Sequence, residues 1–197
     1  MKIFFDHNDG LYTDGHNYLT VTAKQEHETS EYMFENGWLP EFPKSDSWYQ
    51  VRSSRLKLKP ISKKRQKRLS KINITYDKDV LEIAQMANKE KYCSITLPIL
   101  LEDPNTFKFF FDDCFCGLLY FRDNIPYFPM MVWDESSKKH SYGTLSYYFM
   151  IDKLFKEGYE YLYISQYYVH FLSYKKNLQG FEWWDGSVWR NPALVYN

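Results

Sequence analysis

Between residues 142 and 168 the apolar positions change their period. Leu145, Tyr148, Phe149, Ile151, Leu154 and Phe155 recur at helical spacing, which predicts an amphipathic helix. Ser141 stands where an N-cap belongs, and Gly158, just after Lys156 and Glu157, stands where a helix stops. Residues 161–168 are then rich in aromatic side chains, as strands are. Ahead of the helix, the apolar runs 106–111, 115–121 and 125–133 predict three antiparallel strands, with Asp123-Asn124 as the hairpin turn between the last two. Strand, helix, strand makes a parallel crossover. Open parallel sheets bind ligands beyond the carboxyl ends of their strands, and Asp134 and the Ser165-Gln166 pair stand at such ends.

Upstream the pattern is more broken. Residues 2–5 and 18–21 read as short paired strands, separated by turn signals at Asn8 to Gly10 and at Asp14-Gly15. Thr29 and Ser30 can cap a helix that begins at Glu31 and stops at Asn36-Gly37. Residues 48–59 read as a strand ended by Pro60, 62–72 as a basic helix, and 77–91 as a further helix. The chain of 197 residues therefore reads as an α/β (α+β) protein, a mixed sheet flanked by helices. Residues 1–58 form a small N-terminal segment and 59–197 the main domain. A chain of this length buries a full core without disulfides or metal.

Composition changes the picture in few places. Aromatic residues make up 20% of the chain; an AT-biased genome explains this, and stacking surfaces for bases are the alternative. Formal net charge is zero, yet the signs separate along the chain. Lys57, Lys59, Lys63, Lys64, Arg65, Lys67, Arg68 and Lys71 share one window, whereas Asp77, Asp79, Glu82, Glu90, Glu102 and Asp103 follow it. Such separation points to a phosphate-binding surface, against the plainer reading of a solvated helix face.

The three cysteines, Cys93, Cys114 and Cys116, make no disulfide framework. Period two puts Cys114 and Cys116 on one face of a strand, and a reduced, cytoplasmic setting is expected. His7, His16 and His27 show no ligand spacing and read as surface residues, so no metal is expected. No apolar run is long enough to span a membrane, and residues 1–7 turn polar too soon for a secretory signal.

Asp134, six residues on Ser141-Tyr142-Gly143, and then Tyr161-Leu162-Tyr163-Ile164-Ser165 together resemble the catalytic-domain signature of arginyl-tRNA–protein transferases. That family carries an Asp-Pro, a Ser-Leu-Gly and a Tyr-x-Tyr-x-Gly-Tyr strand at similar spacings. Ser173-Tyr174-Lys175 resembles its Met-x-Tyr-Lys. Residues 48–55, with Arg52 and Arg55, resemble its arginine-rich strand, and residues 62–68 its Ser-x-x-Gln-Arg-Arg helix with one extra residue before Gln66. Asn36-Gly37-Trp38 resembles its N-terminal helix end. The likeness spans roughly residues 30–195, by motif order more than by identity.

The resemblance implies a GNAT-like (N-acetyltransferase-like) fold and no cofactor. It implies transfer of an amino acid, arginine first and leucine as the other option, from charged tRNA to the α-amine of an acceptor protein. Asp134 would accept a proton or orient the amine, and Gln166 would orient the amine or the ester carbonyl. Arg52 and Arg55 would hold an acidic N-terminal residue, and Tyr49, Ser165, Tyr174 and Lys175 would line the substrate site. Lys63, Lys64, Arg65, Lys67, Arg68 and Lys71 would contact tRNA. Two departures stand out: Ser165-Gln166 replaces the family's Gly-Tyr, and no cysteine precedes Cys93 where many relatives have a cluster. An arginyl side chain needs a carboxylate partner, for which Glu135, Glu182 and Asp185 are available. One alternative is an acyl-CoA N-acetyltransferase, although its glycine-rich pyrophosphate loop has only Gly143 to offer here. The other is a tRNA-binding protein that has lost catalysis.

Overall fold

Antiparallel pairing of 106–133 follows directly from its apolar run. The computed structural model describes residues 2–6, 20–41, 43–50, 53–76, 96–133, 141–165 and 173–191. Contacts divide the chain into two compact units, 58–121 with 126–162, and 1–57 with 122–125 and 163–197.

In the first of these, β7 (Thr106–Phe111) pairs antiparallel with β8 (Phe115–Arg122). Phe109 lies opposite Gly117, where an added Cβ would fall 2.2 Å from the Phe109 ring. The glycine is what lets that ring lie across the strand. Asp123 and Asn124, which are counted with the other unit, turn the chain into β9 (Ile125–Trp133) with φ of 48° and 65°, the left-handed pair that a two-residue hairpin requires. β6 (Ile74–Thr75) edges β7.

Helix α4 (Tyr142–Lys156) then crosses over to β10 (Tyr161–Ile164), which lies beside β9. That crossover runs the two strands parallel and makes the sheet mixed. Rings fill the space beneath the helix: Phe149 lies 4.8 Å from Phe109, and Tyr147 sits edge-on to Phe128 at 5.3 Å. α2 (Lys63–Leu69) packs on α4, and α3 (Thr96–Glu102) packs on β7.

In the other unit, β1 (Lys2–Asp6), β2 (Thr20–Lys24), β3 (Leu39–Pro40) and β4 (Ser47–Gln50) form a four-stranded sheet in the order β1-β2-β4-β3. α1 (Ser30–Glu35) is capped by the Thr29 side chain, which accepts from Tyr32 N at 3.1 Å. It contributes Met33 and Phe34 to the core, where Phe34 meets Trp48 edge-on at 5.2 Å. β5 (Ser54–Lys57) pairs antiparallel with β11 (Phe181–Trp184), which pairs in turn with β12 (Trp189–Arg190).

Several expectations change. Residues 48–59 are two strands in two sheets, β4 and β5; between them the buried Ser53 donates its hydroxyl to Gly37 O. The basic helix stops at Leu69, because Ser70 to Ile72 close into tighter turns. Cys114 lies in the turn before β8 and only Cys116 is on the strand, where desolvation raises its thiol to about 12. Ser141 does occupy the N-cap of α4, but at φ 58°, and its side chain makes no cap bond. The buried face of α4 is wider than the pattern indicated, taking in Ser146, Tyr147 and Met150, while Phe155 is 40% exposed. α3 is a helix that the apolar pattern does not mark. Residues 173–177 form a 3-10 turn (Ser173–Asn177). The helix expected at 77–91 and the end of the strand expected at 161–168 lie outside the described residues. Among the described residues, no helix is long and apolar enough to cross a membrane.

Candidate functional site

At the carboxyl end of β10 the chain assembles a polar group from three distant segments. Ser165 follows the strand and is partly exposed. The 3-10 turn brings Lys175 back beneath it, with Nζ 3.0 Å from Ser165 Oγ and 3.2 Å from Ser165 O. Ser54, fully buried on β5, donates its hydroxyl to the same Ser165 carbonyl at 2.6 Å. Lys175 is only 1% exposed. Desolvation disfavours its charged form and lowers its pKa from 10.5 to about 7. A lysine in that state supplies either a donor or an acceptor near neutral pH.

Next to Ser54 on β5, Arg55 points to the opposite strand. Glu182 stands directly across in the β11 register and accepts from Arg55 Nε at 2.7 Å. The guanidinium lies over the Trp189 ring, 4.3 Å from its centroid. Trp189 is itself fixed, its indole N–H donating to Glu35 O at 2.8 Å. Arg55 is therefore a cross-strand partner before it is a ligand-binding group. Asp185 is likewise occupied: Arg190 holds its carboxyl well below the usual range, donating Nε at 2.6 Å. Two of the three carboxylates that could meet an arginyl side chain are thus paired inside the chain.

Ser165 and Lys175 are the sequence-derived residues that the fold brings together. Tyr174 lies on the same 3-10 turn, half-buried. Tyr49 lies on β4, in the other sheet of this unit. Asp134, Gln166, Arg52 and Glu135 lie outside the described residues. A cleft of about 580 Å³ between the first turn of α1 and the 123–125 turn is lined by none of these residues.

The basic helix α2 belongs to the other unit. Lys63, Lys64, Lys67 and Arg68 are exposed, as is Lys71 just beyond the helix, and the first turn holds no acidic residue. Arg65 differs: half-buried, it stacks on Tyr148 of α4 at 4.0 Å. Sequence reading did not anticipate Ser54, or Glu182 and Trp189 as partners of Arg55. Their roles come from strand pairing across more than a hundred residues, which local pattern does not carry. Compared with protein-family models and with curated proteins, the chain matches none.

Proposed function

We propose that this chain is an aminoacyl-tRNA–protein transferase with a GNAT-like fold. It moves an amino acid, arginine first and leucine as the other option, from its tRNA ester to the N-terminal amine of an acceptor with an acidic first residue. The observation that carries the reading is the exposed basic face of α2, where Lys63, Lys64, Lys67 and Arg68 meet solvent and can contact phosphates. The order of meander, crossover helix and β10, with a polar cluster at the strand's carboxyl end, is compatible with it.

In this reading Asp134 and Gln166 orient the reacting groups, and Arg52 and Arg55 meet the acceptor's acidic side chain. Arg55 reaches it only by exchanging Glu182. The ester is already activated, so positioning supplies much of the rate.

Charged tRNAs mixed with peptides beginning with Asp, Glu, Lys or Ala test the reaction, with mass spectrometry as readout. A mass increment on the Asp and Glu peptides is expected. Replacing Lys63, Lys64, Lys67 and Arg68 by Ala should weaken tRNA binding and flatten its salt dependence by about one unit of slope per lost contact. Arg65 is left in place because it packs on Tyr148. Unchanged affinity and slope in that variant would sink the tRNA assignment. Binding without transfer would identify a tRNA-binding protein instead.

A further inference from the structure

Ser165 and Lys175 hold a geometry that substrate binding alone does not require. A nucleophile and its base need to lie within about 2.6–3.2 Å, with a third group orienting the base. Here Oγ and Nζ are 3.0 Å apart. The orienting group is the Ser165 carbonyl, which takes Nζ at 3.2 Å and is itself fixed by the Ser54 hydroxyl at 2.6 Å. Burial then divides the roles. Lys175 is almost fully buried at 1% exposure, with Nζ on the Ser165 oxygen, whereas Ser165 is partly exposed at the end of β10.

We propose that Ser165 is a nucleophile activated by Lys175, and that the pair takes up an acyl group from an activated carboxylic ester. The lone pair of the neutral amine accepts the Oγ proton as Oγ bonds to the carbonyl carbon. The tetrahedral intermediate collapses, the bond to the leaving alcohol breaks, and the Lys175 ammonium returns its proton to the leaving oxygen. An ester on Ser165 remains. Water or an amine, giving its proton to the same Nζ, then attacks that ester and releases the acyl group, and the Ser165 oxygen recovers the proton. No oxidant or reductant enters. Of the charged side chains on β5 and β11, Arg55 and Glu182 are engaged with each other, and Lys57 is the third. Desolvation of Lys175, which brings its pKa to about 7, supplies neutral amine near neutral pH.

The inference goes beyond transfer from tRNA, because any ester with a good leaving alcohol serves as donor. The test uses the full chain with p-nitrophenyl acetate. A burst of about one p-nitrophenol per chain is expected, the signature of an acyl-enzyme, with peptide mapping placing acetyl on Ser165. Ser165→Ala should abolish both burst and adduct while keeping the wild-type circular dichroism. Lys175→Met and Lys175→Arg should slow the burst by about 10²-fold or more. Absence of burst and adduct in the wild type, or an unchanged burst in Ser165→Ala, overturns the proposal. Neither result bears on tRNA binding by α2, so the two readings fail separately.

Discussion

Replacing Lys175 by Met probes the cost of burying an amine, and its sign can be worked through. The folded pKa is about 7 against an ordinary 10.5. Between these values the unfolded chain binds more protons than the folded one, so stability rises with pH across that window. Below about pH 7 the full penalty is present, and it fades as pH climbs toward 10.5. The linkage penalty is about 4 kcal/mol at pH 7 and about 2 kcal/mol at pH 9. Met carries no such penalty, so the variant's stability relative to wild type should fall by about 2 kcal/mol across that interval.

Loss of the contacts to Ser165 shifts the variant by a further, pH-independent amount of about 1–3 kcal/mol. The slope, not the offset, is therefore diagnostic. Cys116 acts in the opposite sense: its thiol is raised from 9.0 to about 12, so it removes stability as pH rises above 9. It is present in both proteins and cancels in the difference. Urea unfolding followed by circular dichroism, at several pH values from neutral to mildly alkaline, gives that difference. A constant gap between wild type and Lys175→Met would refute a desolvated, depressed lysine.

Two further outcomes follow from β5 and β11. Removing Arg55 with Met strands Glu182, whose side chain is only 17% exposed, and should cost about 3–5 kcal/mol. A double-mutant cycle with Glu182→Gln should recover at least about 1 kcal/mol, and zero coupling in denaturant unfolding would dismiss the pair. Gly180 has φ 76°, and an added Cβ would fall 2.0 Å from Lys57 O, whose own amide donates to Gly180 O at 2.8 Å. Gly180→Ala should therefore lower stability by about 2 kcal/mol or more, and a thermal midpoint equal to wild type would contradict this.

Local pattern reached the elements whose stability is local. The three meander strands and their Asp123-Asn124 turn follow from apolar runs and left-handed turn chemistry, as does α1 from its Thr29 cap. Where tertiary contacts decide, the pattern failed. Ser141 has the right residue type for an N-cap, but its left-handed backbone takes the hydroxyl out of capping. Residues 48–59 alternate like one strand, yet the chain changes sheets at Ser53, which is held by Gly37 O and receives Trp184 N at 2.9 Å. Ten residues separate Ser165 from Lys175, and only the 3-10 turn brings them together. Nothing in the sequence distinguished Lys175 from an exposed lysine at a strand end.

That burial bears on one step of the proposed transfer. An α-ammonium has a pKa of about 7.7–8.0, so giving its proton to an ordinary carboxylate near 4 is uphill by about 5 kcal/mol. Giving it to an amine near 7 is uphill by only about 1 kcal/mol. Lys175 is therefore a second candidate, beside Asp134, for proton acceptance in the proposed transfer. In the proposed acyl-enzyme route the same amine would accept the Ser165 proton when the acyl group arrives and the acceptor's proton when it leaves. The first half would return that base to the neutral form, whereas an acceptor that arrives as an ammonium loses two protons in the second, of which the Ser165 oxygen takes one and solvent the other.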